Sequence, residues 1–307
     1  MSKKIIFFGN ERFATGVTSK LLIIKALIKL NYEISSVVLS QKPLKENQRN
    51  PEIVAFAKEN AIPIIYYQDN TALYQQLSKQ ITEFGILASY GRLIPNQILD
   101  LFKGGIINIH PSLLPSHRGP IPLESAILNG DKETGISIIK LTGKLDAGPI
   151  YCRQKIALNK TTSKQELANI LDKLGSDLVL KFFDDITSKK LLPKPQSTAH
   201  VTYDKPLVKS DSWLDPLKKT AQQLERQIRA YEFWPKSILK INDLSLIILK
   251  AHSIKGNAQP GTIYLKSNIF GIYALEGILI IDVLIPPGRN KMSSLAFLAG
   301  YKSKLLH

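Results

Sequence analysis

The sequence predicts an α/β protein, with a doubly wound, mostly parallel sheet first and a smaller C-terminal β-barrel domain after it. Three observations carry this expectation. Short apolar runs alternate with helical patterns through the first half of the chain, the texture of a parallel sheet covered by helices on both faces. A long amphipathic stripe over residues 163–186 then gives way to a stretch rich in Lys, Pro, Ser and Thr. Past that stretch lie several short β-rich runs divided by Gly and Asn, the pattern of a small barrel or sandwich.

Taken in order, Ile5, Ile6, Phe7 and Phe8 form an apolar run that reads as a buried strand, and 19–31 reads as a helix. A second strand is expected over 34–39, a helix over 53–59, a short strand over 62–66 and a helix over 71–79. Strands over 84–88 and 106–109 close the series. The helix over 163–186 has Ser163 and Glu166 in capping-box spacing. Its apolar positions Leu167, Ile170, Leu171, Leu174, Leu178 and Phe182 recur on one face and belong to a core. Pro193, Pro195 and Pro206 oppose regular structure over 187–215, which reads as an extended linker. Asp215-Pro216 then opens a helix in the favoured cap-then-proline order, with Leu217, Ala221, Leu224, Ile228 and Tyr231 as its apolar stripe. Strands are expected over 244–249, 261–265, 269–275 and 278–284.

Composition narrows the class of function. The chain has 307 residues, enough for two domains, and 44% of them are hydrophobic, so a disordered chain is excluded. Lys and Arg outnumber Asp and Glu by 41 to 25, a formal charge of +16 that attracts polyanions. Cys152 is the single cysteine, so neither an intrachain disulfide nor a Cys-rich zinc site can form, and it reads as a small buried apolar residue. The run at 5–8 stops at Gly9, too short for a secretory signal, and Lys25 and Lys29 interrupt the best membrane candidate at 21–30. A cytoplasmic protein is expected, and a monomer, since no coiled-coil pattern suggests assembly.

The chemistry concentrates in Ile106-Ile107-Asn108-Ile109-His110-Pro111-Ser112-Leu113-Leu114-Pro115. Alternate residues of a strand share a face, so Asn108 and His110 point one way while Ile107 and Ile109 point the other. Ligands of doubly wound sheets bind beyond the carboxyl ends of the strands, and this polar pair lies at such an end. A buried His satisfied by its Asn neighbour is the plainer alternative. Asp146 stands in the Gly-flanked loop Leu141-Thr142-Gly143-Lys144-Leu145-Asp146-Ala147-Gly148-Pro149, able to bend toward the sheet or simply to bond its own turn.

The run from Asn108 to Pro115, followed by Arg118-Gly119, Pro122, Asn129-Gly130-Asp131, Glu133-Thr134-Gly135 and Asp146, resembles the folate-dependent formyltransferase family. The resemblance implies a Rossmann-like catalytic domain and transfer of the formyl group of 10-formyltetrahydrofolate, with no metal and no covalent enzyme intermediate. It implies that Asn108 donates to the formyl oxygen as charge develops there. His110 would stabilise that charge and take part in proton transfer, and Asp146 would orient His110 and raise its basicity. Ser112, Leu113, Leu114 and Pro115 resemble the family's loop against the folate carrier, and residues 87–91 resemble a wall of its pterin pocket.

The C-terminal half chooses among acceptors. Thr202-Tyr203, residues 227–231, Trp234-Pro235, Pro260-Gly261-Thr262 and residues 291–300 resemble the branch that formylates methionyl initiator tRNA, whose second domain is a barrel of the oligonucleotide-binding (OB) type. The division expected is 1–187 catalytic, 188–210 linker and 211–307 an OB-like tRNA-binding domain. Lys218, Lys219, Arg226 and Arg229 near one helix, with Lys189, Lys190, Lys194, Lys205 and Lys209 in the linker, are expected to meet phosphates. Two departures stand out. The segment Gly9-Asn10-Glu11-Arg12-Phe13-Ala14 differs from the family's Gly-Thr-Pro start, though Phe13 and Ala14 are kept. The basic loop holding Lys42, Lys45 and Arg49 lacks the family's Gly-Arg-rich tip. Two alternatives remain: the same chemistry on an amino-sugar nucleotide, or a tRNA-binding protein without catalysis.

Overall fold

The computed structural model describes residues 3–41, 51–187 and 191–306. The chain divides into two compact units, one of Met1–Leu123, Lys132–Leu158 and Gln165–Lys205, the other of Glu124–Asp131, Asn159–Lys164 and Pro206–His307. Residues 191–205, expected as linker, thus group with the first unit. A backbone ladder between Lys194 and Ile150 at 2.7 and 2.8 Å holds them there.

The first unit is a seven-stranded sheet. In chain order its elements are β1 (Lys4–Gly9), α1 (Leu22–Lys29), β2 (Glu33–Leu39), α2 (Glu52–Glu59), β3 (Ile64–Tyr66), α3 (Asn70–Leu77), β4 (Phe84–Ala88), α4 (Asn96–Leu99) and β5 (Gly105–His110). α5 (Pro122–Asn129), most of which groups with the second unit, then β6 (Glu133–Lys140), β7 (Ile150–Ala157) and α6 (Lys164–Thr187) follow. Strand order is β3-β2-β1-β4-β5-β6-β7, parallel from β3 to β5. The chain winds outward from β1 to β3 and restarts at β4, so the order reverses between β1 and β4, next to β5. Gly9 ends β1 there at φ 107°, where an added Cβ would lie 2.1 Å from the Ala88 carbonyl oxygen. Only glycine fits that approach.

The sheet does not close at residue 109 as expected. β6 and β7 extend it antiparallel, β6 pairing Asn108 with Ile139 and His110 with Ser137. Residues 134–139 of β6 are buried, and β6 pairs with the edge of β5 that β4 leaves open. On α6, Leu167, Leu171, Leu174, Leu178 and Phe182 are buried as the periodicity requires, whereas Ile170 is 45% exposed, off the edge of the stripe. Cys152 is half-buried, and burial pushes its thiol up to about 11.

The second unit is an antiparallel six-stranded sheet with two helices. Its elements are α7 (Ala221–Ala230), β8 (Ser237–Ile241), β9 (Leu244–Ile254), β10 (Ile263–Lys266), β11 (Ile269–Tyr273), β12 (Ile278–Ile285), β13 (Met292–Ser293) and α8 (Ser294–Leu306). The order is β10-β11-β12-β9-β8, with β13 on β12. Leu224 and Ile228 of α7 and Phe297 of α8 pack with Leu246, Phe270 and Leu279 in one apolar core. α7 begins five residues later than Asp215-Pro216 suggests. Thr220 and Gln223 cap it reciprocally, at 3.3 and 2.9 Å, while Asp215 closes a turn on the Leu217 amide and Leu217 itself is exposed. Reciprocal satisfaction of two amides outcompetes a single Asx turn.

Four residues expected to meet phosphates are already engaged. Arg226 donates to the Asn129 carbonyl at 2.7 Å, Arg229 to that of Thr162 at 2.7 Å, Lys219 to the Gln227 amide oxygen at 2.6 Å, and Lys209 to the Pro235 carbonyl at 3.2 Å. Lys218, Lys194, Lys205 and Lys209 are exposed. Lys189, Lys190, Lys42, Lys45 and Arg49 lie outside the described residues. No helix among those described is long and apolar enough to cross a membrane.

Candidate active site

The carboxyl end of β5 brings Asn108 and His110 together on one face, and the 141–149 loop adds Asp146. All three are buried. Asn108 Nδ2 donates to Asp146 Oδ1 at 3.2 Å. A carboxylate only accepts, so the amide nitrogen must face it, and the second hydrogen of Nδ2 is left for another acceptor. Asp146 Oδ2 accepts from the Gly119 backbone amide at 2.8 Å. His110 Nδ1 stands 3.7 Å from Asp146 Oδ1, within ion-pair range though longer than a hydrogen bond.

His110 Nε2 lies 2.8 Å from the carbonyl oxygen of His117. That oxygen can only accept, so Nε2 carries the hydrogen and, in the neutral ring, Nδ1 is the nitrogen open to a proton. A proton gained at Nδ1 would place the positive ring beside the Asp146 carboxylate. The cluster can therefore hold a proton at His110 Nδ1 while Asn108 offers a donor two residues away along the same strand face.

The loop after β5 is fixed from several directions. Ser137 on β6 donates to the Ser112 carbonyl at 2.7 Å and accepts from the Leu114 amide at 3.0 Å. Ser112 Oγ donates to the Ser116 carbonyl at 2.7 Å, and Arg153 reaches the Leu114 carbonyl at 2.6 Å. Of the four residues expected against the folate carrier, Ser112 and Leu114 are thus buried within the unit, and Leu113 and Pro115 reach its surface. His117 Nδ1 pairs with Asp204 Oδ1 at 3.2 Å, and its amide donates to Thr202 Oγ1 at 2.7 Å. Gly119, at φ 122°, has the Asp204 carbonyl oxygen 2.7 Å from where a Cβ would stand. Any side chain there would push the loop off Asp146.

Asp146 has φ 46°, a left-handed backbone that costs a non-glycine residue about 1 to 3 kcal/mol and persists only when neighbours hold it. The Gln196 side-chain amide bonds the carbonyls of Asp146 and Gly148 at 2.7 and 2.8 Å. Sequence reasoning missed Gln196 and Asp204, because both come from the stretch read as linker, and Thr202 was visible only as part of a motif. Arg118 and Gly119 were visible only as parts of the motif. An open pocket of about 410 Å³ adjoins this loop, lined by Arg118, Ala147, Gln196, Thr198 and Tyr203 among others. Elsewhere in the unit Phe13 and Ala14 are buried, and Tyr90 packs edge-on against Phe8 at 5.6 Å, where burial pushes its hydroxyl up to about 12.

A doubly wound sheet with this polar cluster at the carboxyl end of β5 has the arrangement of a ligand-binding site, and comparison with known proteins gives its class. Residues 3–182 match the formyl transferase family and residues 206–302 match the formyl transferase C-terminal domain, so the chain belongs to the formyl transferase family. It is 32% identical to the methionyl-tRNA formyltransferase of Thermodesulfovibrio yellowstonii, over 98% of this chain and 97% of that one. It is 33% identical to the methionyl-tRNA formyltransferase of Orientia tsutsugamushi, over 97% of each. Among solved structures, an N-formyltransferase from Helicobacter canadensis in complex with folinic acid and dTDP-3-aminofucose superposes with a TM-score of 0.69 at 18% identity, covering 95% of this chain and all of that one. HypX from Aquifex aeolicus in complex with tetrahydrofolic acid gives 0.62 at 16% identity; this chain spans about half of HypX, 47% of its length.

Proposed function

We propose that the protein transfers the formyl group of 10-formyltetrahydrofolate to the amino group of methionyl initiator tRNA. The observation that carries this is likeness along nearly the whole chain, second unit included, to proteins named methionyl-tRNA formyltransferase. The 10-formyltetrahydrofolate supplies an activated formyl carbon. Asn108 uses its second amide hydrogen to bind the formyl oxygen as negative charge grows on it, a contribution that reaches about a hundredfold in rate for a single well-placed donor. His110 receives the amine's proton at Nδ1, the nitrogen not committed to the His117 carbonyl, and Asp146 stabilises the charged ring. As the bond from the formyl carbon to the carrier nitrogen breaks, the proton passes to that nitrogen and tetrahydrofolate leaves. Leu113 and Pro115 give the carrier an apolar surface. The donor set fits such a carrier, since a formyl amide offers an oxygen acceptor and requires no metal ligand. The second unit, taken as an OB-type module, binds the tRNA.

Structural likeness to a formyltransferase crystallised with a dTDP-amino sugar keeps one competing acceptor in view. The test is an assay with 10-formyltetrahydrofolate and Met-charged initiator tRNA, run beside an amino-sugar nucleotide. Formyl-methionine on the tRNA alone is expected; transfer only to the sugar would overturn the acceptor. His110→Ala should abolish transfer while tRNA binding stays near wild type, and an active His110→Ala would refute the mechanism.

A further inference from the structure

We propose that Gln196 is a positioning residue for Asp146, acting by tying together the two loops that form the site. The inference rests on the formyl-transfer function proposed above and adds to it a part of the chain that the site motif does not contain.

A carboxamide has two donor hydrogens and an oxygen with two lone pairs. Gln196 uses all of them. Nε2 donates to the carbonyls of Asp146 and Gly148 at 2.7 and 2.8 Å, and Oε1 accepts from Arg118 Nη2 and Nε at 2.7 and 3.2 Å. One end of the amide therefore grips the main chain of the Asp146 loop. The other grips the residue between His117, whose carbonyl fixes His110 Nε2, and Gly119, whose amide holds Asp146 Oδ2.

The segment carrying Gln196 is itself anchored on both sides. Lys194 pairs with Ile150 through two backbone bonds, and further on Thr202 and Asp204 bracket Arg118 with bonds of 3.0 and 2.7 Å. Arg118 Nη1 also bonds the Tyr203 hydroxyl at 2.8 Å. Gln196 is thus a fixed strut between two loops. Its load is specific: Asp146 holds a left-handed backbone, and its carboxylate must stay near His110 Nδ1, now 3.7 Å away. Asn108 and Gly119 restrain the carboxylate oxygens, while Gln196 restrains the main chain on either side of Ala147. Without that restraint the loop relaxes toward an ordinary backbone and carries the carboxylate with it. A displacement of about 1 Å at reacting groups is enough to cost about a hundredfold in rate.

The experiment compares Gln196→Glu and Gln196→Ala with wild type in steady-state formylation of Met-tRNA, with circular dichroism to establish folding. Gln196→Glu keeps the shape and the oxygen toward Arg118 but turns an acceptor onto the two carbonyls. If Gln196 positions Asp146, both variants lose about tenfold to a hundredfold in kcat, and KM for either substrate shifts by no more than about threefold. In an Asp146→Asn background, Gln196→Ala then adds little further loss, because the two act through one group. A Gln196→Glu variant with wild-type kcat would overturn the proposal, as would a loss confined to KM or one that multiplies in full on Asp146→Asn. Wild-type protein that formylates nothing would sink the proposed function itself, a different result from an active wild type indifferent to Gln196.

Discussion

Glu11 lies buried in the turn after β1 with its carboxyl oxygens on the amides of Ile23 and Ile24, at 3.1 and 2.7 Å. Those amides start α1 and favour a negative charge, but burial and the nearby Asp172 oppose it and win, pushing the Glu11 carboxyl up to about 8. The folded protein therefore holds a proton on Glu11 that the unfolded chain, near 4.5, gives up. That contribution to stability is complete below pH 4.5 and disappears as pH rises through 8. Wild-type melting temperature should fall between pH 5 and 8.5 by more than that of Glu11→Gln; parallel curves would falsify this assignment. The departure in Gly9–Ala14 thus has a structural content that the residue types alone did not disclose. Asn108 and His110 were legible because strand alternation puts both on one face. Asp146 was legible only as a loop residue that could turn either way. Gln196, His117 and Asp204 were not, since Gln196 and Asp204 come from positions 50 or more residues beyond Asp146 and His117 meets His110 through a carbonyl inside a turn, where no period marks them.

At the scale of elements, α6 was plain in the sequence because five buried positions from Leu167 to Phe182 repeat at helical spacing over about four turns. β6 and β7 were hidden: no residue of β7 is fully buried, and the polar ends of β6 mask its apolar centre. The true start of α7 was hidden by a competing cap signal five residues upstream. Periodicity also cannot reveal that α6 opens on a buried cation. Lys164 is 0% exposed, its Nζ 3.3 Å from Glu124 Oε1 and 3.3 Å from the Trp234 carbonyl. Burial lowers its pKa and Glu124 opposes the drop. Removing one partner strands the other in a dry site, so Lys164→Ala should cost about 3 to 5 kcal/mol. Lys164→Met with Glu124→Leu should recover most of the loss, because a well-packed apolar pair incurs no desolvation penalty. Urea unfolding followed by tryptophan fluorescence checks this, since both tryptophans, Trp213 and Trp234, belong to the second unit with the pair. A single variant as stable as wild type would refute the role of the ion pair.

On the scale of the whole chain, the formal charge of +16 separates the two acceptors by physics alone. A tRNA neutralised at about five phosphates releases condensed counterions, and its affinity falls with a slope near −4 in log K against log salt. Between 50 and 200 mM salt such a slope weakens binding by about two to three orders of magnitude. An amino-sugar nucleotide carries too few charges to condense ions and would bind with a shallow dependence. The exposed cations available for this are fewer than the sequence suggests, because Arg226, Arg229 and Lys219 are held by carbonyl and amide oxygens. Exchanging the exposed Lys194 and Lys205 together for Gln should therefore flatten the salt slope by one to two units and weaken tRNA binding about equally for initiator and elongator species. The same exchange on Arg226 should leave the slope nearly unchanged and lower stability, because its guanidinium closes the Asn129 end of α5. Filter binding of Met-tRNA across a salt series, with the KM for 10-formyltetrahydrofolate as the control that should barely move, measures both. A flat slope for the wild-type protein would count against tRNA as the acceptor, however well the site itself transfers formyl groups.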